Sequence, residues 1–379
     1  MQRQIVHLDL DTFFVSVERL QNSRLNGKPI LIGGSSDRGV VASCSYEARA
    51  FGVHSAMPMK LARQLCPQAI LVRGDMDAYS KYSAMVTEII EERAPVVEKA
   101  SIDEHYLDIT GMDRFFGSLK WTREFRERII KETVLPISFG LSVNKTVSKI
   151  ATGQAKPNGL LSVEQGTEIP FLAPLSIRKI PMVGEKTYIM LRNMGVEKVR
   201  TLQEMPMQLM QDVMGQNGTI IWKKAQGIDN TPVEPYSERK SMGSEETFER
   251  DTTDMQQLRK TLISMVSNLC FDLRKEQKLT SVITVKIRYS NFDTHTRQLK
   301  IPYTSSDAAL TLHALNLFNA LYTRRMLIRL VGVKFSGLVQ GNYQIDLFSD
   351  TIEHISLYQA MDAIRKRYGL SAIKKAISL

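Results

Sequence analysis

Ile5-Val6-His7-Leu8-Asp9-Leu10 is the stretch that most restricts what this chain can become. It is short, mostly apolar and followed at once by an amphipathic run from Phe13 to Leu20, so it predicts a buried strand running into a helix. On such a strand Asp9 and Asp11 alternate across Leu10 and face the same side. Two carboxylates closing a buried strand are costly unless something positive compensates them. Asp11 lies close enough to cap the helix that starts near Phe13. Asp9 sits too far back for that role, and its position calls for a metal ion.

A second acidic pair lies in Ser101-Ile102-Asp103-Glu104. Neighbours on a regular strand point to opposite faces, but at the tip of a hairpin the turn breaks that alternation and both can reach one ion. Taken alone, the segment reads better as a solvated acidic turn. Its apolar flanks, Val96-Val97 before and Tyr106-Leu107 after, argue for partial burial. Three converging carboxylates can hold two hard cations through oxygen ligands, an arrangement suited to in-line phosphoryl transfer. Tyr46 and Arg49 fall three apart on one helical face, where a guanidinium can fork onto a phosphate beside a donating phenol. By themselves they read as a core tyrosine and an ordinary surface arginine. Lys156, in Ala155-Lys156-Pro157-Asn158-Gly159, adds a point charge on a tight turn.

Around these groups the first half of the chain alternates strand and helix. Strands are predicted at Pro29–Gly33 and Val40–Ser43, and helices at Pro58–Leu65 and Tyr79–Arg93. Two strands, Val97–Ile102 and His105–Ile109, should meet at Asp103-Glu104. Helix Leu119–Thr133, strand Ile137–Val143 and helix Lys145–Gln154 follow. From about residue 165 the texture changes, and Pro174–Gly227 is helix-rich and full of methionine. A proline-bearing, basic linker (Thr231–Lys240) leads to a βαββαβ succession: Glu245–Phe248, Met255–Lys275, Val282–Tyr289, Thr296–Pro302, Ala308–Tyr322 and Ile328–Phe335. A last helix is predicted over Leu357–Ile377.

A chain of 379 residues is long enough for at least two cores. No signal peptide is expected, since no long apolar run precedes Asp9, and no stretch of the length needed for a membrane span occurs. Cys44, Cys66 and Cys270 are scattered and form no CxxC pair, which suits a reducing cytoplasm. The net charge of +10 favours a polyanionic partner, nucleic acid being the commonest inside cells.

Asp9-Leu10-Asp11-Thr12-Phe13-Phe14, Tyr46-Glu47-Ala48-Arg49, Ser101-Ile102-Asp103-Glu104 and Ala155-Lys156-Pro157-Asn158-Gly159 stand in the order and spacing of the Y-family DNA polymerases. The chain resembles the DNA polymerase IV (DinB) branch of that family over roughly residues 5 to 345. The resemblance implies an α/β (α+β) multidomain, right-hand fold. Its palm would span 1–12 and 75–165, its fingers 13–74 and a helix-hairpin-helix-like thumb 166–232. A linker at 233–241, a βαββαβ little finger at 242–340 and a C-terminal tail at 341–379 would follow. It implies low-fidelity, translesion addition of deoxynucleotides to a primer 3′-end without proofreading, by two-magnesium nucleotidyl transfer. Asp9 and Asp103 would be the main metal ligands, Glu104 would complete the triad, and the Leu10 carbonyl would fill out one ion's shell; Asp11 is not carried over as a ligand. Phe14 matches the steric gate that excludes a ribose 2′-hydroxyl, with Thr12 and Phe13 beside it. Ser43, Tyr46, Arg49 and Lys156 match positions that hold the incoming triphosphate. Val40 and Ala42 would line the surface over the template base.

Two departures stand out. The thumb hairpin, usually like Pro-Gly-Ile-Gly, reads Pro181-Met182-Val183-Gly184, which puts in question one backbone contact to DNA phosphate near Gly184. His105 follows the acidic pair where a smaller or apolar residue is usual; it reads as a tolerated change, the alternative being a pH-sensitive effect on the neighbouring carboxylates. Thr284, Lys286 and Arg288 share one strand face and, with Lys334, should follow the DNA backbone. Gln344-Ile345-Asp346-Leu347-Phe348 resembles the bacterial sliding-clamp-binding peptide, with Gln344, Leu347 and Phe348 as anchors. The expected partners are primer–template DNA, deoxynucleoside triphosphates and the clamp. The protein is expected to be a monomer, cytoplasmic and off the membrane. Two other readings stay open: the catalytic subunit type of polymerase V, which needs an accessory protein, and a DNA-binding scaffold with a silent site.

Overall fold

Burial of nearly every side chain in a six-residue run makes β1 (Ile5–Leu10) the spine of the computed structural model, which describes residues 3–112, 117–341 and 352–373. The chain turns through Thr12, left-handed at φ 43°, straight into α1 (Phe13–Gln21). Thr12 is the residue before the helix, and no side chain caps it. The expected cap by Asp11 is therefore corrected. Its carboxylate is buried beneath the helix and taken by Tyr46, Ser138 and the Asn158 N–H, which leaves it nothing to offer the first-turn amides.

β2 (Ile30–Gly33), β3 (Val41–Cys44), the single-turn α2 (Tyr46–Arg49), α3 (Met59–Leu65) and β4 (Ile70–Val72) come next. They form a small mixed sheet in the order β3-β2-β4 over its own core of Leu31, Val41, Met59 and Ala62. α4 (Met76–Glu91) starts three residues before Tyr79 because Asp75 caps it, its carboxylate accepting from the Asp77 and Ala78 N–H groups. β5 (Val96–Lys99), β6 (Glu104–Asp108), α5 (Ser118–Thr133), β7 (Ile137–Ser142), α6 (Lys145–Ala155) and β8 (Leu160–Ser162) complete a five-stranded sheet ordered β5-β6-β1-β7-β8. β1 lies at its centre, antiparallel to β6 and β7.

Val6, Leu8 and Leu10 point to one side of this sheet and pack with α1, α4 and α5. His7 and Asp9 point to the other side, toward α6. α6 can lie directly on β7 because residue 140 is glycine: a Cβ there would come within 2.1 Å of the Ser148 carbonyl and 2.5 Å of the Thr152 nitrogen. α7 (Glu168–Leu172), α8 (Glu185–Asn193), α9 (Val199–Glu204), α10 (Met207–Met214) and α11 (Gln216–Ala225) then bury Leu172, Leu191, Leu202, Met210 and Ile221 against Val147 and Ile150 of α6. In the hairpin before α8, Met182 adopts φ 79° and is 54% exposed. A side chain in that left-handed region costs about 1–2 kcal/mol, which is the physical reason a glycine suits the position. Gly184 itself sits at φ −80° and is not required by its conformation.

These elements belong to one compact unit, Met1–Ser237; Glu238–Leu379 forms a second. There the predicted βαββαβ order is present as β9 (Ser241–Thr252), α12 (Met255–Lys275), β10 (Lys278–Tyr289), β11 (Thr294–Thr304), α13 (Asp307–Leu321) and β12 (Ile328–Gln340), arranged β11-β10-β12-β9. β9 is far longer than its expected four residues, since most of its side chains are exposed and leave no apolar alternation to see. α14 (Ile352–Tyr368) starts before Leu357 and stops well short of Ile377, where Gly369 turns left-handed at φ 91°. It is tied to the unit by Arg274, which donates to Asp362 at 2.6 and 2.8 Å and to Asp307 at 2.7 Å.

Candidate active site

Strand register brings the acidic residues together. Asp9, near the end of β1, lies directly across from Glu104, the first residue of β6. The hairpin between β5 and β6 is a turn of Ala100-Ser101-Ile102-Asp103, so the alternation breaks between Asp103 and Glu104 as the sequence predicted. β5 stops at Lys99, three residues before its predicted end, because the turn takes those residues, whereas β6 begins one residue earlier than predicted, at Glu104. The Asp103 carbonyl accepts the Leu10 N–H at 3.0 Å, which locks the turn to β1. Ser101 orients the acids: its hydroxyl donates to Asp103 Oδ1 at 2.6 Å and accepts the Glu104 N–H at 3.1 Å.

Asp9 and Glu104 each meet a cation. Lys156 Nζ donates to Asp9 Oδ1, and Lys149 Nζ, from α6, donates to Glu104 Oε2. Burial nevertheless pushes the Asp9 carboxyl up to about 7; Lys156 works against this, and the charges of Glu104 and Asp103 add to it. Burial raises Glu104 as well, but His7 and Lys149 outweigh it and hold that group well below the usual carboxylate range. His7, pushed down to about 4 by burial, sits with Nε2 3.8 Å from Glu104 Oε2, beyond hydrogen-bonding reach. Lys149 is accordingly the direct partner. His105 faces away, its Nε2 3.0 Å from the Thr87 hydroxyl, and burial pushes it down to about 3. Burial thus favours its neutral form, in keeping with a tolerated change.

Among the described residues, no three carboxylate, histidine or cysteine side chains are gathered as a ready metal cage. The donor chemistry still fits hard divalent ions: three carboxylates and a strand-end carbonyl, all oxygen, at a place where Asp9 needs more positive charge than Lys156 supplies.

A cavity of about 140 Å³ opens beside the acids, lined by Asp9, Leu10, Thr12, Phe13, Phe14, Ser43, Arg49, Asp103 and Lys156, with Ala42 and Ser55 completing its wall. A larger one, about 580 Å³, lies where Gln4, Ser142 and Glu164 meet and holds none of the predicted groups. Phe14 stacks on Tyr79 with ring centroids 4.3 Å apart and an 11° tilt. Tyr79 is fully buried and donates to Glu18 Oε1 at 2.6 Å, so the platform under Phe14 is rigid. α2 is capped by the Ser45 hydroxyl and presents Arg49 to the cavity, the guanidinium 5.0 Å from the Tyr46 ring. The Tyr46 phenol donates to Asp11 Oδ1 at 3.3 Å. Burial, and then the Asp11 charge, push that phenol above its ordinary value and keep it a donor.

Tyr79, Ser101 and Lys149 escaped the sequence reading. Ser101 alone carried a local signal, as the residue that opens the acidic turn. Tyr79 and Lys149 lie on helices whose pattern shows only which face is apolar.

In the second unit the predicted strand faces hold: Ile283, Val285 and Ile287 are fully buried, and Lys286 and Arg288 lie on the opposite side. Lys334, also on that side, is exposed. Lys286 is matched by Glu245, at 2.7 and 3.0 Å, and Arg288 donates to the Thr294 hydroxyl at 2.8 Å. Gln344, Leu347 and Phe348 lie outside the described residues. Among the described residues no helix is long and apolar enough to cross a membrane.

The chain matches the impB/mucB/samB family over residues 8–153 and the C-terminal domain of that family over residues 239–347. It is 38% identical to a DNA polymerase IV of Dehalococcoides mccartyi, with 98% of this chain and 96% of the relative covered. Identity is 34% to a DNA polymerase IV of Clostridioides difficile, with 96% and 99% covered. Among solved structures it is similar to a Y-family DNA polymerase chimera of Dbh and Dpo4, with TM-score 0.80, 29% identity, and 89% and 99% covered. It is also similar to DinB from Sulfolobus solfataricus, with TM-score 0.61, 28% identity, and 89% and 100% covered.

Proposed function

Because the chain belongs to the Y-family DNA polymerases, in their DNA polymerase IV branch, we propose that Asp9, Asp103 and Glu104 are the carboxylates at which it extends a primer. The enzyme is a translesion DNA-directed DNA polymerase with a palm, fingers, thumb and little finger, and it depends on divalent metal. Its substrates are primer–template DNA and deoxynucleoside triphosphates.

Two magnesium ions, held by Asp9, Asp103, Glu104 and the Leu10 carbonyl, would steady the attacking 3′-oxygen and the leaving pyrophosphate. Ser101 fixes the Asp103 carboxylate in advance, so no side-chain search is needed when substrate arrives. Arg49, Lys156, Ser43 and Tyr46 bind the triphosphate, and Lys156 exchanges Asp9 for a phosphate oxygen as it does so. Phe14, beside Thr12 and Phe13, closes off the space a 2′-hydroxyl would need. Val40 and Ala42 leave room over the template base. The observation that carries this reading is the single cavity whose walls include Asp9, Asp103, Phe14, Arg49 and Lys156.

The palm is assigned to 1–12 and 75–165, the fingers to 13–74, the thumb to 166–232 and the little finger to 242–340, with 233–241 as linker and 341–379 as tail. Gly184, Lys286, Arg288 and Lys334 track the DNA backbone; the Glu245 pairing makes Lys286 the weakest of these contacts at rest. A monomer working in the cytoplasm completes the proposal, in keeping with Cys44, Cys66 and Cys270 all being buried and outside any disulfide among the described residues.

Primer extension by the purified chain with magnesium tests the reading. Extension should proceed with no second protein; a strict need for one would move the enzyme to the polymerase V type. With Leu347 and Phe348 both replaced by alanine, the chain should no longer co-elute with a bacterial clamp, while distributive synthesis persists. Undiminished co-elution would remove Gln344–Phe348 as the clamp ligand.

A further inference from the structure

One acidic residue of the opening motif faces away from the cavity and is only 1% exposed: Asp11. Its Oδ2 accepts the Ser138 hydroxyl at 2.7 Å and the Asn158 N–H at 2.6 Å, and its Oδ1 accepts the Tyr46 phenol at 3.3 Å. Lys156 Nζ lies 3.8 Å from Oδ1. The Asp11 backbone is equally fixed, its N–H donating to the Pro136 carbonyl at 2.9 Å and its carbonyl accepting the Ser16 hydroxyl at 2.8 Å. One buried carboxylate thus joins three segments that are far apart in sequence: α2, β7 and the turn after α6. A buried carboxylate without donors would be strongly disfavoured, so the donors and the carboxylate hold one another in register.

Two of those segments carry the groups assigned to the triphosphate. Arg49 lies one turn along α2 from Tyr46, and Lys156 is two residues from Asn158. We propose that Asp11 is a positioning residue that sets the separation of the Tyr46–Arg49 helix and the Lys156–Asn158 turn, so that the triphosphate site is formed before the nucleotide arrives. It touches no substrate. The inference rests on the reading that Arg49 and Lys156 bind the triphosphate. Arg126 holds the same turn from its other side, donating to Asn158 Oδ1 at 2.6 Å and to the Ile137 carbonyl at 2.9 Å, so loss of the Asp11 contacts loosens the turn without freeing it.

Single-turnover insertion of a correct deoxynucleotide separates nucleotide affinity from maximum rate. Asp11→Asn preserves the shape but sacrifices part of the acceptor set. It should weaken nucleotide affinity by about 10- to 100-fold, leave the maximum rate within about threefold, and leave DNA affinity unchanged. Ser138→Ala, which removes a donor to Asp11 and no triphosphate contact, should weaken nucleotide affinity by about three- to tenfold. It decides the matter if Asp11→Asn does not fold. A folded Asp11→Asn enzyme with unchanged nucleotide affinity, or with only its rate or DNA affinity reduced, overturns the proposal. Arg49→Ala is the control on the underlying reading. If it too leaves nucleotide affinity intact, the triphosphate assignment has failed; if it weakens affinity and Asp11→Asn does not, only the Asp11 role has.

Discussion

Replacing Asp103 by alanine should lower the rate of nucleotide addition by at least about a thousandfold, equivalent to about 4 kcal/mol of transition-state stabilisation. The fold should survive the change. Asp103 joins the sheet through its backbone carbonyl, which accepts the Leu10 N–H, and alanine keeps that bond. What disappears is a carboxylate oriented by the Ser101 hydroxyl. The charge of Asp103 also helps to hold the Asp9 carboxyl near 7, so its loss relaxes the proton grip on Asp9 without restoring a metal ligand. Primer extension under single-turnover conditions gives the rate, and a DNA titration on the same protein should show affinity within about threefold of wild type. Robust synthesis by Asp103→Ala would sink the assignment of the acidic cluster. A parallel loss of DNA binding would point to misfolding of the β5–β6 turn instead.

How much of this was legible beforehand follows the physics of each signal. β1 and the βαββαβ order could be read because their burial alternates or runs unbroken, leaving a period in the sequence. β4 and β8 were missed: each has three residues, all half-buried, with no alternation to detect. β9 was read too short for the related reason that its outward and edge-facing side chains are alike polar. The acidic hairpin was anticipated because a turn is a local event. Asp11 was misjudged because its true partners, Tyr46, Ser138 and Asn158, are brought to it only by the fold, whereas a helix cap needs only the next few residues. Tyr79 was invisible as part of the site for the same reason, although it was correctly placed on a helix.

That missing partner bears on the second large effect. Phe14→Ala should reduce discrimination against ribonucleotides by about a hundredfold or more, a loss of roughly 3 kcal/mol in the difference between the two sugars. A ring excludes a hydroxyl only if it cannot retreat, and Phe14 cannot. It lies flat on Tyr79, which is fully buried and fixed by Glu18. Alanine opens the space outright, so ribonucleotide incorporation should rise while deoxynucleotide insertion falls only modestly. Tyr79→Phe keeps the stack and should keep the gate, even though it gives up the bond to Glu18. Tyr79→Ala leaves Phe14 in place but unsupported, and should relax discrimination part of the way. Extension assays supplied with ribonucleotides alone read all three variants on one scale. Strict exclusion by Phe14→Ala would remove Phe14 as the gate, and full discrimination by Tyr79→Ala would show that the ring holds its position without the platform.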